Sequence, residues 1–204
     1  MSRYRGAVVR QSRRLGLMLF GNGESKTKAF NKKKYKPGEH GQKRFSQISE
    51  YGKQLQEKQK ARFMYGISEK QCRNYYKKAS KNAGVTGEEF MKMLERRLDN
   101  VIYRAGFAAS RPQARQMVSH SLIKINGRRV KTPSIQIKEG DKFEVIDKKK
   151  DSKLFEVVKQ SKTKTPKWIS ADVKGLKGEV TALPDKDDIE RAIDNQLITE
   201  FYSK

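Results

Sequence analysis

Asn126-Gly127, set between LIKI and RRVK, leaves this chain little freedom. Both residues suit the positive φ angles of a type I′ turn, which joins two antiparallel strands through a two-residue loop. Alternation along LIKI then sends Ile123 and Ile125 to one face of a hairpin and Lys124 to the other. The residues just before, SRPQARQMVSHS, have the signals of a short helix. Ser110 is an N-cap residue, Gln113 follows three positions later, and Pro112 lies in the first turn, where its missing amide costs little. The spacing predicts a helix to about Ser119, with Ala114, Met117 and Val118 inward. SIQIKEGDKFEVI predicts a second strand pair, with Ile135 and Ile137 before a Glu-Gly-Asp turn and Phe143, Val145 and Ile146 after it. Two short helices leading into a small twisted sheet follow from these signals.

Upstream the periodicity is helical. Ile48, Tyr51 and Leu55, then Phe63, Tyr65 and Ile67, recur among Gln, Lys and Glu, and Gly66 divides them into two helices. Ser68 and Gln71 have capping-box spacing. TGEE opens a further helix at Thr86, whose apolar stripe Phe90, Leu94, Leu98, Val101, Ile102 and Ala105 runs to a stop at Gly106. The first 44 residues hold 13 Lys or Arg against two Glu, with scattered glycines, and predict an irregular basic arm with little core of its own. Two readings of residues 21–36 stand: disorder in isolation, or a loop made rigid by packing on RNA. The class is α+β, helices leading into a small sheet.

Charge narrows the function. Forty-seven Lys and Arg against 23 Asp and Glu leave a net +24, self-repulsion that a polyanion would relieve. No stretch has the length and purity of a transmembrane helix, so the expected partner is nucleic acid, with no membrane and no small-molecule substrate. Cys72 is the only cysteine, and His40 and His120 lie far apart without an acidic cluster, so neither a zinc set nor a catalytic triad is proposed, and no enzyme is expected. Within the short helix, Arg111 and Arg115 are four residues apart and repel, for which an external anion is the economical explanation. The Tyr75-Tyr76 pair beside Arg73 and Lys77 fits either a core plug with its hydroxyls outward or a platform for bases.

RLDNVIYRAGFAASRPQARQMVSHSLIKINGRRV resembles the RNA-binding domain named after ribosomal small-subunit protein four. MSRYRG, SRRLG, PGEHGQKR, SEYGKQLQEKQK, RNYYKKA, TGEEF and LITEFYSK resemble, in the same order, stretches of the bacterial family of that ribosomal protein, so the likeness spans essentially the whole chain. The resemblance implies a mostly helical body with an inserted module, divided as arm 1–45, helical body 46–95 completed by a tail 175–204, module 96–157, and a linker and return segment 158–174. It implies a structural constituent of the small ribosomal subunit, in the cytoplasm, that binds the 5′ domain of 16S rRNA and nucleates assembly of the subunit body. It further implies contact with ribosomal protein five, an influence on translational accuracy together with protein twelve, and a place by the messenger RNA entry channel near Lys43 and Arg44. A bacterial and an organellar ribosome fit equally. Some members bind zinc through four cysteines in the arm; here the arm has none, and no metal or cofactor is expected. Alternatives are an RNA-modifying enzyme carrying the same module, or a stand-alone RNA chaperone. The first would need a separate catalytic domain, and the second would not account for a full-length likeness.

The residues expected to meet RNA are Arg3, Arg5, Arg10, Arg13 and Arg14 in the arm, then Lys43 and Arg44, then Arg62, Arg73 and Lys77 on the helices. In the module they are Arg97, Arg111, Arg115, His120, Lys124, Arg128 and Arg129, with Asn126 and Gly127 fixing the turn. Arg104 instead fits a side chain lying along the helix stripe. Ser119 and His120 either hydrogen-bond RNA or cap the short helix. From Glu179 onward seven acids face three Lys or Arg, predicting a tail helix that packs Ile189, Ile193 and Leu197 on the body. Its acids are expected to meet basic residues of this chain or of a neighbouring protein, those near Asp185 to Glu190 contributing to the protein five contact.

Overall fold

The capping signals become helix starts in the computed structural model, which describes residues 4, 6–20, 24–42, 47–150, 152–160, 165–190 and 192–203. Two units form: Met1–Gly87 with Arg191–Lys204, and Glu88–Glu190.

In the first unit, α1 (Val8–Leu15) and α2 (Glu24–Lys32) replace the irregular backbone expected for the arm. Its core is as small as expected, for only Gln11, Ser12 and Leu19 are buried among the arm's described residues. α3 (Glu50–Met64) and α4 (Glu69–Ala79) flank Gly66, whose φ of +61° ends the first helix. Ser68 and Gln71 close the expected capping box on α4. The tail helix α9 (Asn195–Ser203) starts later than expected, after a 3-10 turn at Lys186–Asp188, so Ile189 and Ile193 are buried outside it.

α9 is held to α3 and α4 by polar groups seated among rings. Gln54 donates to Glu200 at 2.9 Å, and the Tyr76 hydroxyl donates to the Thr199 carbonyl at 3.3 Å. Tyr76 stacks on Tyr202 with centroids 4.7 Å apart, and the buried Lys58 ammonium lies 4.3 Å from the Phe201 ring centre. Tyr76 is therefore a core plug whose hydroxyl points inward. Glu69 accepts from Lys58, Arg62 and Tyr202 at 2.9, 3.2 and 3.1 Å. Burial works to raise its carboxyl pKa, but the hydrogen bonds from Lys58 and Arg62 outweigh burial and hold it below the ordinary value. Cys72 is fully buried beside them, and burial pushes its thiol up to about 11.

The second unit starts from a helix the sequence signals do not divide. The stripe Phe90 to Ala105 is split into α5 (Thr86–Glu95) and α6 (Leu98–Arg104), because Arg97 is extended, with φ −66° and ψ 136°. The loop after β2 is stapled into the break. Leu98 N–H donates to the Ile135 carbonyl at 2.9 Å, Asp99 N–H to Pro133 at 3.2 Å, and Ile137 N–H to Arg96 at 3.0 Å. Residues 134–138 are consequently not the first strand of a second hairpin. α7 (Arg111–Ser119) forms as expected, with the Ser110 hydroxyl accepting from Gln113 N–H at 3.4 Å.

β1 (Ile123–Ile125) and β2 (Arg128–Val130) make the expected hairpin, with φ +47° at Asn126 and +78° at Gly127. The Asn126 side chain also donates to Asp141 and accepts from Lys142 N–H, tying the turn to β3 (Lys142–Val145). β3 pairs antiparallel with β1, Ile125 facing Phe143, and on its other side with β5 (Lys177–Val180). β4 (Ile169–Asp172) completes the order β2-β1-β3-β5-β4. The segments expected as linker (158–174) and as the start of the body's tail (175–204) thus supply two strands, and α8 (Lys153–Gln160) precedes them. Their apolar residues Trp168, Ile169, Leu176 and Val180 enter one core with α6, α7 and the sheet, which is the physical reason they belong to this unit.

Gly127→Val should lower stability by about 1–3 kcal/mol in urea unfolding. Nothing lies within 4 Å of a Cβ at that position, so the effect is torsional and Gly127→Asn should cost less. Cys72 should resist alkylation at neutral pH until the chain unfolds. The Glu69 carboxylate should stabilise the fold above its ordinary pKa of 4.5 and lose that contribution as pH falls through its lower folded value. Glu69→Gln should then reduce stability at neutral pH and flatten the acid-side decline, as read by unfolding midpoints across pH.

Candidate nucleic-acid interface

The basic residues separate into those whose charge is met within the protein and those left to solvent. The first group is centred on the break between α5 and α6. Arg97 is 1% exposed and grips Asp99 with two hydrogen bonds, at 3.0 and 2.7 Å. The same Asp99 carboxylate takes Arg115 at 3.6 Å and the Asn100 amide at 3.0 Å. The fully buried Glu95 accepts from both nitrogens of the Arg104 fork, at 3.1 and 2.8 Å, and from the Asn100 side chain at 2.6 Å. Glu190 lies 3.3 Å from both Arg104 and Arg111. Arg111 also donates to Asn100 at 2.8 Å and covers the Tyr103 ring, its carbon 4.7 Å from the centroid.

The anions that Arg111 and Arg115 call for are therefore carboxylates of this chain. Arg97 is removed from the RNA-contact set outright, since a guanidinium buried against a carboxylate has no face left for phosphate. Arg111 and Arg115, with side chains 12% and 13% exposed, act foremost as braces between helices. Arg104 is a brace too, paired with Glu95 rather than merely laid along the stripe. The sequence signal for this was RRLDN, in which an acid two residues after Arg97 can close a fork as soon as the helix breaks between them. Glu95 and Glu190 carry no comparable local signal.

The tail acids in part meet bases of this chain, one of their two expected partners. Glu190 meets the arginines, while Asp185 accepts from Lys186 N–H at 2.7 Å and Asp188 accepts from Asp185 N–H at 3.2 Å across the 3-10 turn.

On the sheet, Lys124 faces away from the core as expected but meets Glu144 at 3.5 Å and Asp147 at 3.3 Å. Lys150 and Lys124 together hold the Asp147 carboxyl down at about 2. Lys142 and Lys177 on the same face approach Glu179 and Glu144. This face, with an open concavity of about 650 Å³ between Asn126, Ser170 and Asp172, is of mixed charge. Arg128 and Arg129 differ, being exposed on the edge strand β2. His120 is the backbone C-cap of α7 with an exposed side chain, while the Ser119 hydroxyl bonds back to Arg115 O at 2.8 Å.

In the first unit Arg10 and Arg14 are exposed one turn apart on α1, whereas Arg13 donates to the Tyr35 carbonyl at 3.1 Å and covers that ring. Arg62 is turned to Glu69 and the Phe63 ring. Arg73 and Lys77 are exposed on α4. Arg3, Arg5, Lys43 and Arg44 lie outside the described residues. Of the residues expected to meet RNA, those positioned for an external anion are thus Arg10, Arg14, Arg73, Lys77, His120, Arg128 and Arg129. Among the described residues no group of three or more His, Cys, Asp or Glu side chains is placed to hold a metal ion, and no helix is long and apolar enough to cross a membrane.

Two family profiles match in tandem. Residues 3–95 match the ribosomal protein S4/S9 N-terminal domain, and residues 96–143 match the S4 domain. Small ribosomal subunit protein uS4 of Thermus thermophilus is 47% identical over 212 residues, covering the whole of both chains. The proteins of the same name from Chloroherpeton thalassium and Desulfitobacterium hafniense are each 46% identical, over 209 and 208 residues, again with full coverage of both chains.

Arg97→Ala should cost about 3–5 kcal/mol by stranding Asp99. It should leave the salt dependence of RNA binding by the folded protein little changed. Arg128→Gln/Arg129→Gln should do the reverse, flattening the salt dependence by about one counterion per phosphate lost with stability within about 0.5 kcal/mol. Paired unfolding curves and salt titrations separate the two cases.

Proposed function

This chain belongs to the small ribosomal subunit protein uS4 family, and from that premise we propose that it is a structural constituent of the small ribosomal subunit that binds 16S rRNA. The observation that carries the reading is the likeness over the full length of both chains, since a shared module alone would extend over residues 96–143 only. The relatives are named as ribosomal proteins and not as enzymes, which supports a binding role without catalysis. The seven outward-facing basic residues supply the charge such a role needs.

The finer role rests on the resemblance and on the chain's chemistry. The protein binds the 5′ domain of 16S rRNA early and nucleates assembly of the subunit body. It meets protein five and other small-subunit proteins, influences accuracy together with protein twelve, and lies by the path of messenger RNA. It works in the cytoplasm and without zinc, because an arm lacking cysteine has no thiolate ligands to offer. Recognition is by shape: the arginine braces fix α6 and α7 as one surface, and A-form RNA exposes backbone and minor groove more readily than base edges.

Filter binding of the purified chain to a transcript of the 16S 5′ domain, against an unrelated structured RNA of equal length across a salt series, tests this. The expected result is a preference of several orders of magnitude for the 5′ domain that persists as salt rises. Equal binding that fails together with salt would reduce the interaction to net charge.

A further inference from the structure

α4 carries one acid, Glu69, and that acid is turned toward Lys58, Arg62 and Tyr202. Cys72, Tyr76 and Ala79 line the same inner side of the helix, the first and last of them buried. The opposite side holds Lys70, Arg73 and Lys77, continued by Lys81 just past the helix end, all exposed and spaced three, four and four residues apart. At about 100° per residue these four fall within one narrow stripe. None of them makes an ion pair among the described residues, although elsewhere in this chain exposed lysines such as Lys28, Lys53, Lys142 and Lys177 have acids placed beside them.

Helix stability does not call for this arrangement. Lysines in the last turn complement the helix dipole, but Lys70 lies in the first turn and Arg73 close behind it, where positive charge is unfavourable. Neighbouring like charges at these spacings add a few tenths of a kcal/mol of repulsion per pair. Lys70 and Lys77 are about 10 Å apart along the axis, too far to share one small anion. No apolar side chain is in the stripe to form the dry centre of a protein interface. A membrane-surface helix would need its apolar side free, and here that side is spent on the body. A polymer of phosphates fits.

We propose that Lys70, Arg73, Lys77 and Lys81 form a ridge that tracks an RNA phosphate backbone and carries a major part of the salt-dependent binding energy. The proposal rests on the reading that this protein binds RNA. It adds Lys70 and Lys81 to the interface and assigns the α4 face, rather than the arginines of α7, as a principal electrostatic footprint.

The test compares two variants of the full chain that lose the same four charges. Lys70→Gln/Arg73→Gln/Lys77→Gln/Lys81→Gln empties the ridge, and Lys28→Gln/Lys53→Gln/Lys142→Gln/Lys177→Gln removes lysines that already have acids. With the 16S 5′-domain transcript, the ridge variant should flatten the slope of log K against log salt by about three and bind at least tenfold more weakly, while the second variant shifts the slope by less than about one. Lys70→Arg/Lys77→Arg/Lys81→Arg should retain the wild-type slope. Thermal melting of the ridge variant at or above the wild-type midpoint confirms that folding is intact, and the triple arginine variant with Arg73→Lys added keeps the comparison open should the midpoint fall. Equal slopes for the two charge-matched variants would overturn the ridge. So would wild-type RNA binding by the ridge variant combined with lost binding to phosphatidylserine vesicles, which would assign the stripe to a membrane. Wild-type protein that binds both RNAs alike would count against the ribosomal reading, while the slope comparison on either RNA would still decide the ridge.

Discussion

The second unit depends on carboxylates buried among arginines. Glu95 and Asp99, both buried, and the partly exposed Glu190 meet Arg97, Arg104, Arg111 and Arg115 within hydrogen-bonding or ion-pair distance, and Asn100 bridges the groups between them. Ions this poorly solvated are tolerable only if paired and oriented, so the network admits few arrangements of the helices around it. Its centre is the break at Arg97, where the loop that would otherwise be a strand donates and accepts across the gap. Truncating one member would leave its partner charged and buried. The module therefore holds its shape by chemistry that superficially resembles a binding site.

In the first unit a comparable cluster faces the other way in its effect. Glu69 gathers Lys58, Arg62 and Tyr202 and so fixes α9 against α3 and α4. Because the one acid of α4 is committed there, the outer side of that helix carries bases and no acid. The same carboxylate thus contributes to stability and to the asymmetry of the surface. The mixed-charge sheet face of the second unit shows the contrary case, in which each strand brings acid and base together and the local field is largely cancelled.

Much of the local structure was legible in the sequence because local signals act within a few residues. The Ser68 and Ser110 caps, the Asn126-Gly127 turn and the stop at Gly66 each depend on φ, ψ and hydrogen bonds between near neighbours. What was not legible is set by distant partners. Nothing around Leu98 announces that Ile135 will take its amide hydrogen bond, and β4 and β5 are too short and polar for their alternation to reveal which sheet they join. The site divided along the same line. Arg73 and Lys77 are exposed by their place on their own helix, and Arg128 and Arg129 by lying on an edge strand beside the turn. Arg97 and Arg111 were misplaced because their orientation is decided by acids, one only two residues away across a helix break and the other at position 190. The positions of Arg3, Arg5, Lys43 and Arg44 were not addressed by the described residues.

The pairing order of the sheet and the split composition of the first unit have a bearing on synthesis. The β1–β2 hairpin and its pairing with β3 involve neighbours within about two dozen residues, but β3 acquires its second partner only once β5 has been made. The contacts of α3 with α9 join positions such as Gln54 and Glu200, separated by 146 residues. These are the costliest loops in the chain to close. Pairing of β1, β2 and β3 can therefore form early in synthesis, whereas the first unit cannot be sealed until α9 has emerged. α3 and α4 thus emerge long before the helix that closes over them.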